Sequence, residues 1–420
     1  MGMVAIGIYN AGLQLYRAGV QLAAMAGKTK AQRWLNGRQH WQSRMRQEIA
    51  GPIVWIHAAS LGEFEQGRPV LEAIRTTYPS YKILLTFFSP SGYEVRKNYK
   101  GADFIYYLPL DTRRNARELL DIAQPALAIF IKYEFWYHYL TELYTRKIPT
   151  LLVSGIFRKE QVFFKGHGAM FRQLLQQLTH IFVQNEASLR LLQGIGLRNA
   201  SVSGDTRFDR VSALLQEHTD LPEISSFIGG CQVIVAGSTW PEDEKLLSEW
   251  WQQESRPGLK LVIAPHEIQE SHIQDILTLF PAARRFSALK TDQTANGQVL
   301  IIDNIGMLTT LYRYATIAYV GGGFGKDGIH NLLEPAVYSK PVVIGPEYSK
   351  YFEAVELVAA GGALVITNAA QLHTCVQQLL QPGEIYPRIA AIAGNYVAAN
   401  TGATRKVLDY IQENRFLSRE

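Results

Sequence analysis

The sequence predicts an α/β protein of two doubly wound, parallel-sheet domains that face each other across a ligand cleft. Three observations predict it. Short β-rich apolar runs alternate with helical segments along most of the chain, which is the rhythm of strand–helix–strand units. That rhythm lapses once, at Leu221–Gly230 (Leu-Pro-Glu-Ile-Ser-Ser-Phe-Ile-Gly-Gly), and then starts again. The length of 420 residues exceeds what one core usually serves, so two domains of roughly 150 to 200 residues are expected.

In the first domain the expected strands are Ile53–His57, Ile83–Phe88, Phe104–Leu108, Ala126–Ile131, Thr150–Ser154 and Ile181–Gln184. In the second they are Gln232–Gly237, Lys260–Ala264, Val299–Asp303, Ile317–Gly321, Pro341–Ile344 and Ala363–Ile366. The boundaries follow: 1–46 for an N-terminal helix and basic segment, 47–220 and 229–390 for the two domains, and 391–420 for a C-terminal helix free to return to the first domain. Sheets of this kind bind ligands beyond the carboxyl ends of their strands, so the cleft between the domains is the expected site.

Hydrophobic residues make up 47% of the chain and charged residues 19%, which excludes a disordered or fibrous protein. Cys231 and Cys375 are the two cysteines, far apart and without ligand-spaced neighbours. Neither a disulfide framework nor a metal site is expected, and a reducing compartment is the simplest setting. The net charge of +5 is modest, and no nucleic-acid partner is expected from it.

The basic residues are unevenly placed. Met1–Gly27 is apolar but interrupted by Asn10, Gln14, Arg17 and Gln21, so it falls short of the unbroken run of about 20 apolar residues a spanning helix prefers. Val4, Ile8, Leu15, Leu22 and Met25 lie near helical spacing, with Gln14, Arg17 and Gln21 on another side, which describes a helix lying in a membrane interface. An ordinary amphipathic helix packed on the first domain is the alternative. Lys28, Lys30, Arg33, Arg38, Arg44 and Arg46 then follow with no acidic residue among them and with Trp34 and Trp41 interleaved. That composition suits a surface of anionic lipid.

Three strand ends carry candidate chemistry. Strand Ile53–His57 runs into Ala58-Ala-Ser60-Leu-Gly62-Glu63, placing a carboxylate at the head of a helix, where it can act as a general base on a hydroxyl. The same Ser-x-x-Glu spacing is that of a capping box, and spacing does not separate the two readings. Strand Gln232–Gly237 ends in Ser238-Thr239, two hydroxyls before a helix opened by Pro241, suited to a phosphate or to plain capping. The segment from Tyr319 through Gly321-Gly322-Gly323 to Asn331 and Glu334 is a strand, a glycine loop and a helix. It fits neither Walker A nor Gly-x-Gly-x-x-Gly, and it leaves a loop offering backbone amides and Asn331 to a phosphate, with Glu334 either accepting from ribose hydroxyls or standing as a solvated helix carboxylate. His167, His266, His272 and His330 show no metal spacing. Phe157-Arg158-Lys159 with Phe163-Phe164-Lys165 can meet an acidic headgroup or form a solvated loop.

In order along the chain these segments resemble the 3-deoxy-D-manno-octulosonic acid (Kdo) transferases. The resemblance rests on His57-Ala-Ala-Ser60-Leu-Gly62-Glu63, Glu134-Phe-Trp136, Gly204-Asp-Thr-Arg-Phe208-Asp209, Ala236-Gly-Ser-Thr239, Asp303-Asn-Ile-Gly306-Met-Leu308 with Tyr312, and His330-Asn331-Leu-Leu-Glu334-Pro-Ala with Gly345-Pro346. It implies a GT-B glycosyltransferase with two Rossmann-like domains, an inverting mechanism without a catalytic metal or cofactor, and attachment at the cytoplasmic face of the inner membrane. CMP-Kdo is the implied donor and lipid A precursor (lipid IVA) the implied acceptor, in lipopolysaccharide biosynthesis. Glu63 is then the base. Ser60, Gly62, Glu134 and Arg158 fall on the acceptor side, and Ser238, Thr239, His266, Gly321–Gly323, Asn331 and Glu334 on the donor side. Pro265-His266-Glu267 departs from the family's Pro-Arg-His, and Asp205 and Arg207 stand for its Asn and Lys. A sugar-nucleotide epimerase of similar two-domain shape is the rival enzyme, and a noncatalytic lipid-binding protein the rival of another class.

Overall fold

The computed structural model describes residues 2–216, 220–254, 256–289 and 297–418; Met1, at the head of the expected N-terminal helix, lies outside them. The chain forms two compact units, Met1–Arg210 with Thr401–Glu420, and Val211–Asn400.

The first unit is built on seven strands: β1 (Ile53–Ala58), β2 (Lys82–Phe87), β3 (Phe104–Tyr107), β4 (Pro125–Ile131), β5 (Thr150–Gly155), β6 (His180–Val183) and β7 (Ala200–Val202). They form one sheet in the order β3-β2-β1-β4-β5-β6-β7, and every described pairing is parallel. Helices cover both faces, so β1 is buried at all six positions, as continuous apolar runs in parallel sheets should be. Its residues divide by parity: Ile53 and Trp55 enter one core, while Val54, Ile56 and Ala58 enter the other. The chain's last helix, Ala403–Glu413, adds Val407 and Ile411 to the second of these cores, and Asp209 accepts from the Gly402 and Thr404 amides ahead of it, each at 2.6 Å.

The second unit repeats the plan with β8 (Gln232–Thr239), β9 (Leu259–Pro265), β10 (Arg284–Arg285), β11 (Val299–Ile301), β12 (Ile317–Val320), β13 (Val342–Ile344) and β14 (Ala363–Val365). The order is β10-β11-β9-β8-β12-β13-β14, again parallel throughout its described pairings. The fold is therefore the expected doubly wound pair. The winding of the first sheet reverses between β1 and β4; in the second, β8 lies between β9 and β12, and β11 is inserted between β9 and β10. Such switch points open a crevice at the carboxyl edge of each sheet.

Two strands were not expected from the sequence. β7 and β10 are three and two residues long and sit at the sheet edges, too short to carry a two-residue period. The Leu221–Gly230 lapse is also more ordered than a linker: Pro222–Ile228 is a helix, started by its proline and ended by Gly229 at φ 57°, with Ile224 and Phe227 buried. Its alternation of polar and apolar residues had masked a short amphipathic helix of seven residues.

The N-terminal helix, Gly2–Met25, lies on the first unit. Tyr9 donates to the buried Asp111 at 2.6 Å, Asn10 meets His138 at 2.7 Å, and the Tyr16 ring packs edge-on against Trp34. Val4, Ile8, Leu15, Leu22 and Met25 stay exposed on the opposite side. Among the described residues no helix is long and apolar enough to cross a membrane. The basic segment that follows is anchored through Arg38, which donates to the carbonyls of Leu108, Trp34 and Phe88 at 2.7–2.9 Å and lies over the Trp34 ring at 3.8 Å.

One glycine decides how close the first unit's leading helix, Leu61–Thr77, sits to the sheet. A Cβ on Gly67 would come within 2.8 Å of Ile131 Cγ1 at the end of β4. Gly67→Val should therefore push the helix off the sheet and cost about 1–3 kcal/mol, read as a fall in thermal midpoint of roughly 2–12 °C for a unit of this size.

Candidate active site

The first unit's switch point is built from the ends of β1 and β4. After β1 the chain reaches Ser60 in an extended conformation (φ −137°) and turns into helix Leu61–Thr77. Ser60 donates twice to one carboxylate oxygen: its amide reaches Glu63 Oε2 at 2.9 Å and its hydroxyl reaches the same atom at 3.0 Å. Glu63 is thus a helix cap through Oε2, while Oε1 accepts from no described residue. Burial lifts the Glu63 pKa above the ordinary carboxylate value, and the charge of Glu134 lifts it further. The Ser60 hydroxyl and the nearby His57 and Lys132 pull the other way.

Glu134 is buried and held from behind. Its Oε2 takes the Trp136 indole N–H at 2.6 Å and lies 3.0 Å from His57 Nε2. Behind it Trp55, which can only donate, donates to Thr86 Oγ1 at 2.8 Å. His57 Nδ1 lies 2.9 Å from that hydroxyl and 3.0 Å from the Thr86 carbonyl oxygen, and the Trp136 indole N–H also reaches His57 Nε2 at 3.2 Å. The imidazole is fully buried inside β1. Lys132, which follows β4, has φ 69°, and Ser154 in β5 has φ 56°. Left-handed residues of this kind cost about 1–3 kcal/mol each and cluster at functional sites.

Beside this network is a cavity of about 770 Å³, lined by Glu134, Trp136, Arg158, Tyr9, Phe135 and Phe163 among others. Its walls are mostly aromatic, with Arg158, Glu134 and Glu160 as charged points. Ser60, Glu63 and Glu134 are brought together, and Arg158 shares the cavity with Glu134. Gly62 lies exposed at the second position of the helix, with nothing within 4 Å of where a Cβ would stand.

The second unit's switch point gathers the remaining candidates. Ser238 adopts φ 53° and is half-buried. Thr239 is fully buried, and its hydroxyl donates to Glu244 Oε1 at 2.9 Å. His272 Nε2 meets the other Glu244 oxygen at 2.8 Å. The glycine loop is pressed against β8: a Cβ on Gly321 would meet Ser238 O at 2.4 Å, and one on Gly323 would meet Gly345 at 2.7 Å. Close packing demands these glycines whatever else they do.

Two of the three loop amides expected to face a phosphate are already engaged. Gly321 N–H donates to Gly237 O at 2.9 Å, and Gly322 N–H donates to Asp243 Oδ2 at 2.8 Å. Asp243 also accepts from the Tyr319 hydroxyl and the Trp240 amide. Asn331 donates to Glu334 Oε1 at 3.0 Å, and Thr309 donates to Glu334 Oε2 at 3.2 Å. His266 is exposed and stacks on Trp240 and His330, with ring centroids 4.7 and 4.5 Å away. Trp240 and His330 lie nearly coplanar, 13° apart, joined by an indole-to-imidazole hydrogen bond of 2.9 Å. Burial, with the neighbouring His266 adding to it, lowers the His330 pKa to about 4, so at neutral pH this ring accepts the indole proton as a neutral base.

Sequence reasoning missed His57, Thr86 and Trp136 as one network, and Trp240 with Asp243 in the second unit. The available signal was an ionisable residue, His57, inside an otherwise apolar strand.

Comparison with known proteins follows this geometry. Solved structures of the same fold include a UDP-GlcNAc 2-epimerase from Neisseria meningitidis bound to UDP-GlcNAc, at 16% identity and a TM-score of 0.62 over 86% of this chain and 100% of that one. A UDP-GlcNAc 2-epimerase from Methanocaldococcus jannaschii matches at 14% identity and a TM-score of 0.56, covering 85% and 99%. At these identities the likeness is one of fold. In sequence, residues 32–210 match the family model described as 3-Deoxy-D-manno-octulosonic-acid transferase (kdotransferase). The 3-deoxy-D-manno-octulosonic acid transferase of Haemophilus influenzae is 27% identical over 372 residues, 86% of each chain. That of Aquifex aeolicus is 27% identical over 334 residues, 78% of this chain and 86% of that one.

Two Rossmann-like units with this sequence kinship make the chain a glycosyltransferase of the GT-B class. In sequence it is similar to the Kdo transferases over most of its length.

The electrostatics of the first unit yield a pH prediction. Glu134→Gln keeps an acceptor for His57 and Trp136 but removes the charge that raises Glu63, so the Glu63 pKa should fall. Carbon-13 NMR titration of labelled glutamate should show the Glu63 carboxyl titrating at lower pH in the variant; an unchanged or higher midpoint would refute the coupling.

Proposed function

We propose that this chain transfers Kdo from CMP-Kdo to a hydroxyl of lipid A precursor with inversion, using Glu63 as general base. The observation that carries the reading is the division of labour within one carboxylate. Oε2 is fixed by both donors of Ser60, which leaves Oε1 oriented and open at the switch point of its sheet. A raised pKa brings the base nearer the pH at which it works, which favours proton transfer.

The step balances without an added reactant. Glu63 Oε1 takes the acceptor's hydroxyl proton as that oxygen bonds to the anomeric carbon of Kdo. The bond from that carbon to the CMP phosphate oxygen breaks, and CMP leaves with the electron pair. Charge growing on the phosphate is met by the Ser238 hydroxyl and by His266, with Gly321–Gly323 allowing close backbone approach. Asn331 and Glu334 hold the sugar and ribose hydroxyls. On the acceptor side, Arg158 and the aromatic cavity beside Glu134 receive the lipid disaccharide. The exposed stripe Val4, Ile8, Leu15 and Leu22 rests on the cytoplasmic face of the inner membrane, where such an acceptor is found.

Glu63→Gln still accepts from Ser60, so the helix cap survives and only the base is lost. Transfer from CMP-Kdo to a tetraacyl disaccharide bisphosphate, followed by mass spectrometry, should drop about 10²–10⁴-fold. CMP affinity by calorimetry should be unchanged. Near-wild-type turnover would remove Glu63 from the mechanism, and interconversion of a UDP-sugar without acceptor would replace the transferase reading by an epimerase.

A further inference from the structure

A second cavity, of about 560 Å³, lies on the flank of the N-terminal helix, away from Glu63 and Glu134. Its lining includes Arg17, Gln21, Arg38, Gln39, Thr112 and Arg114, and no carboxylate is among its described lining residues. The size is that of a small-ligand site.

Its charge is uncompensated. Arg38 is inserted between aromatic rings, and all three of its described hydrogen bonds end on carbonyl oxygens. Those bonds engage three of its five N–H donors and leave its positive charge unneutralised. Arg17 has no ion pair among the described residues. Arg114 pairs with Glu118 within its own helix at 2.9 Å, but it is largely exposed, so that pair contributes little. Asp111, adjacent in sequence to the lining Thr112, is turned into the protein, where Tyr9 and the amides of His138 and Tyr139 hold both of its oxygens. Thr112 caps helix Arg113–Ala123, which has no acidic residue in its first turn, so the helix dipole adds positive potential to that carried by the arginines.

The position of the cavity says what fills it. Arg17 and Gln21 are four residues apart and share one side of the N-terminal helix. That side lies between the exposed stripe, Leu15 and Leu22, and the face pinned by Tyr9 and Tyr16. A helix with its stripe in the acyl boundary of a bilayer holds such a flank at the depth of the lipid phosphates.

We infer that this cavity binds the phosphate headgroup of an anionic membrane lipid, with the arginines on the phosphate and the amides of Gln21, Gln39 and Asn115 on the neighbouring hydroxyls. The inference rests on the membrane-facing reading of the N-terminal helix and not on the transferase chemistry. Arg–phosphate contacts of this kind give geometry as well as charge, which a diffuse basic surface does not.

The test compares full-length protein and two variants of equal charge change on vesicles of phosphatidylcholine alone and with phosphatidylglycerol. Arg17→Gln with Arg114→Gln should lose on the order of tenfold in affinity for the anionic vesicles, with binding to neutral vesicles and Kdo transfer in detergent unchanged. Lys28→Gln with Lys30→Gln, outside the cavity, should lose distinctly less. Equal losses from both variants would mean a general basic surface and would overturn the site. Calorimetry with water-soluble dihexanoyl phosphatidylglycerol and with inorganic phosphate separates the sources. Saturable binding of the lipid, weakened in the arginine variant, is expected; phosphate binding as tightly would overturn the lipid assignment. Wild-type protein that ignores both vesicles yet transfers Kdo in detergent would refute the membrane reading and leave the transferase reading standing.

Discussion

One carboxylate oxygen holds the first unit's chemistry in place. Glu63 Oε2 accepts from both the amide and the hydroxyl of Ser60, and so closes the head of helix Leu61–Thr77 onto the end of β1. Capping and catalysis, which compete as readings of the sequence, are compatible in the structure because they use different atoms. The cap removes the freedom of the side chain, and the second oxygen is presented in a fixed direction. Gly67 contributes from four residues further along by letting the same helix lie directly on Ile131.

The surroundings of that carboxylate are arranged by residues far away in sequence. A run of hydrogen bonds joins Trp55, Thr86, His57 and Glu134, and Glu134 in turn raises Glu63. The second unit uses an analogous device. Asp243, in the first turn of helix Pro241–Trp251, captures the Gly322 amide and the Tyr319 hydroxyl, which fixes the glycine loop against β8. Both devices are buried carboxylates, costly unless their hydrogen bonds are made, and both stand at the point where a sheet's winding reverses.

Much of this was legible in the sequence, for identifiable reasons. Strands buried on both faces are written as apolar runs, so β1, β4, β8 and β12 could be read almost to their ends. Ser60 and Glu63 were legible because a cap is a local, fixed-spacing feature. What escaped depends on pairing across distance: no spacing rule joins His57 to Glu134, or Asp243 to Gly322. The glycine loop was read as a row of free amides, whereas packing against Ser238 and Gly345 gives an independent reason for its composition. The resemblance placed His266 at the donor side, but its stacking on Trp240 and His330 needed coordinates.

The sharpest test of the central claim is a crystal structure of the protein with a nonreactive CMP-Kdo analogue and lipid A precursor bound. The nucleophilic hydroxyl of the acceptor should lie within about 2.6–3.2 Å of Glu63 Oε1, with Oε2 still on Ser60. A hydroxyl seated instead on Glu134, or a Glu63 side chain released from Ser60 and turned from the acceptor, would contradict the account.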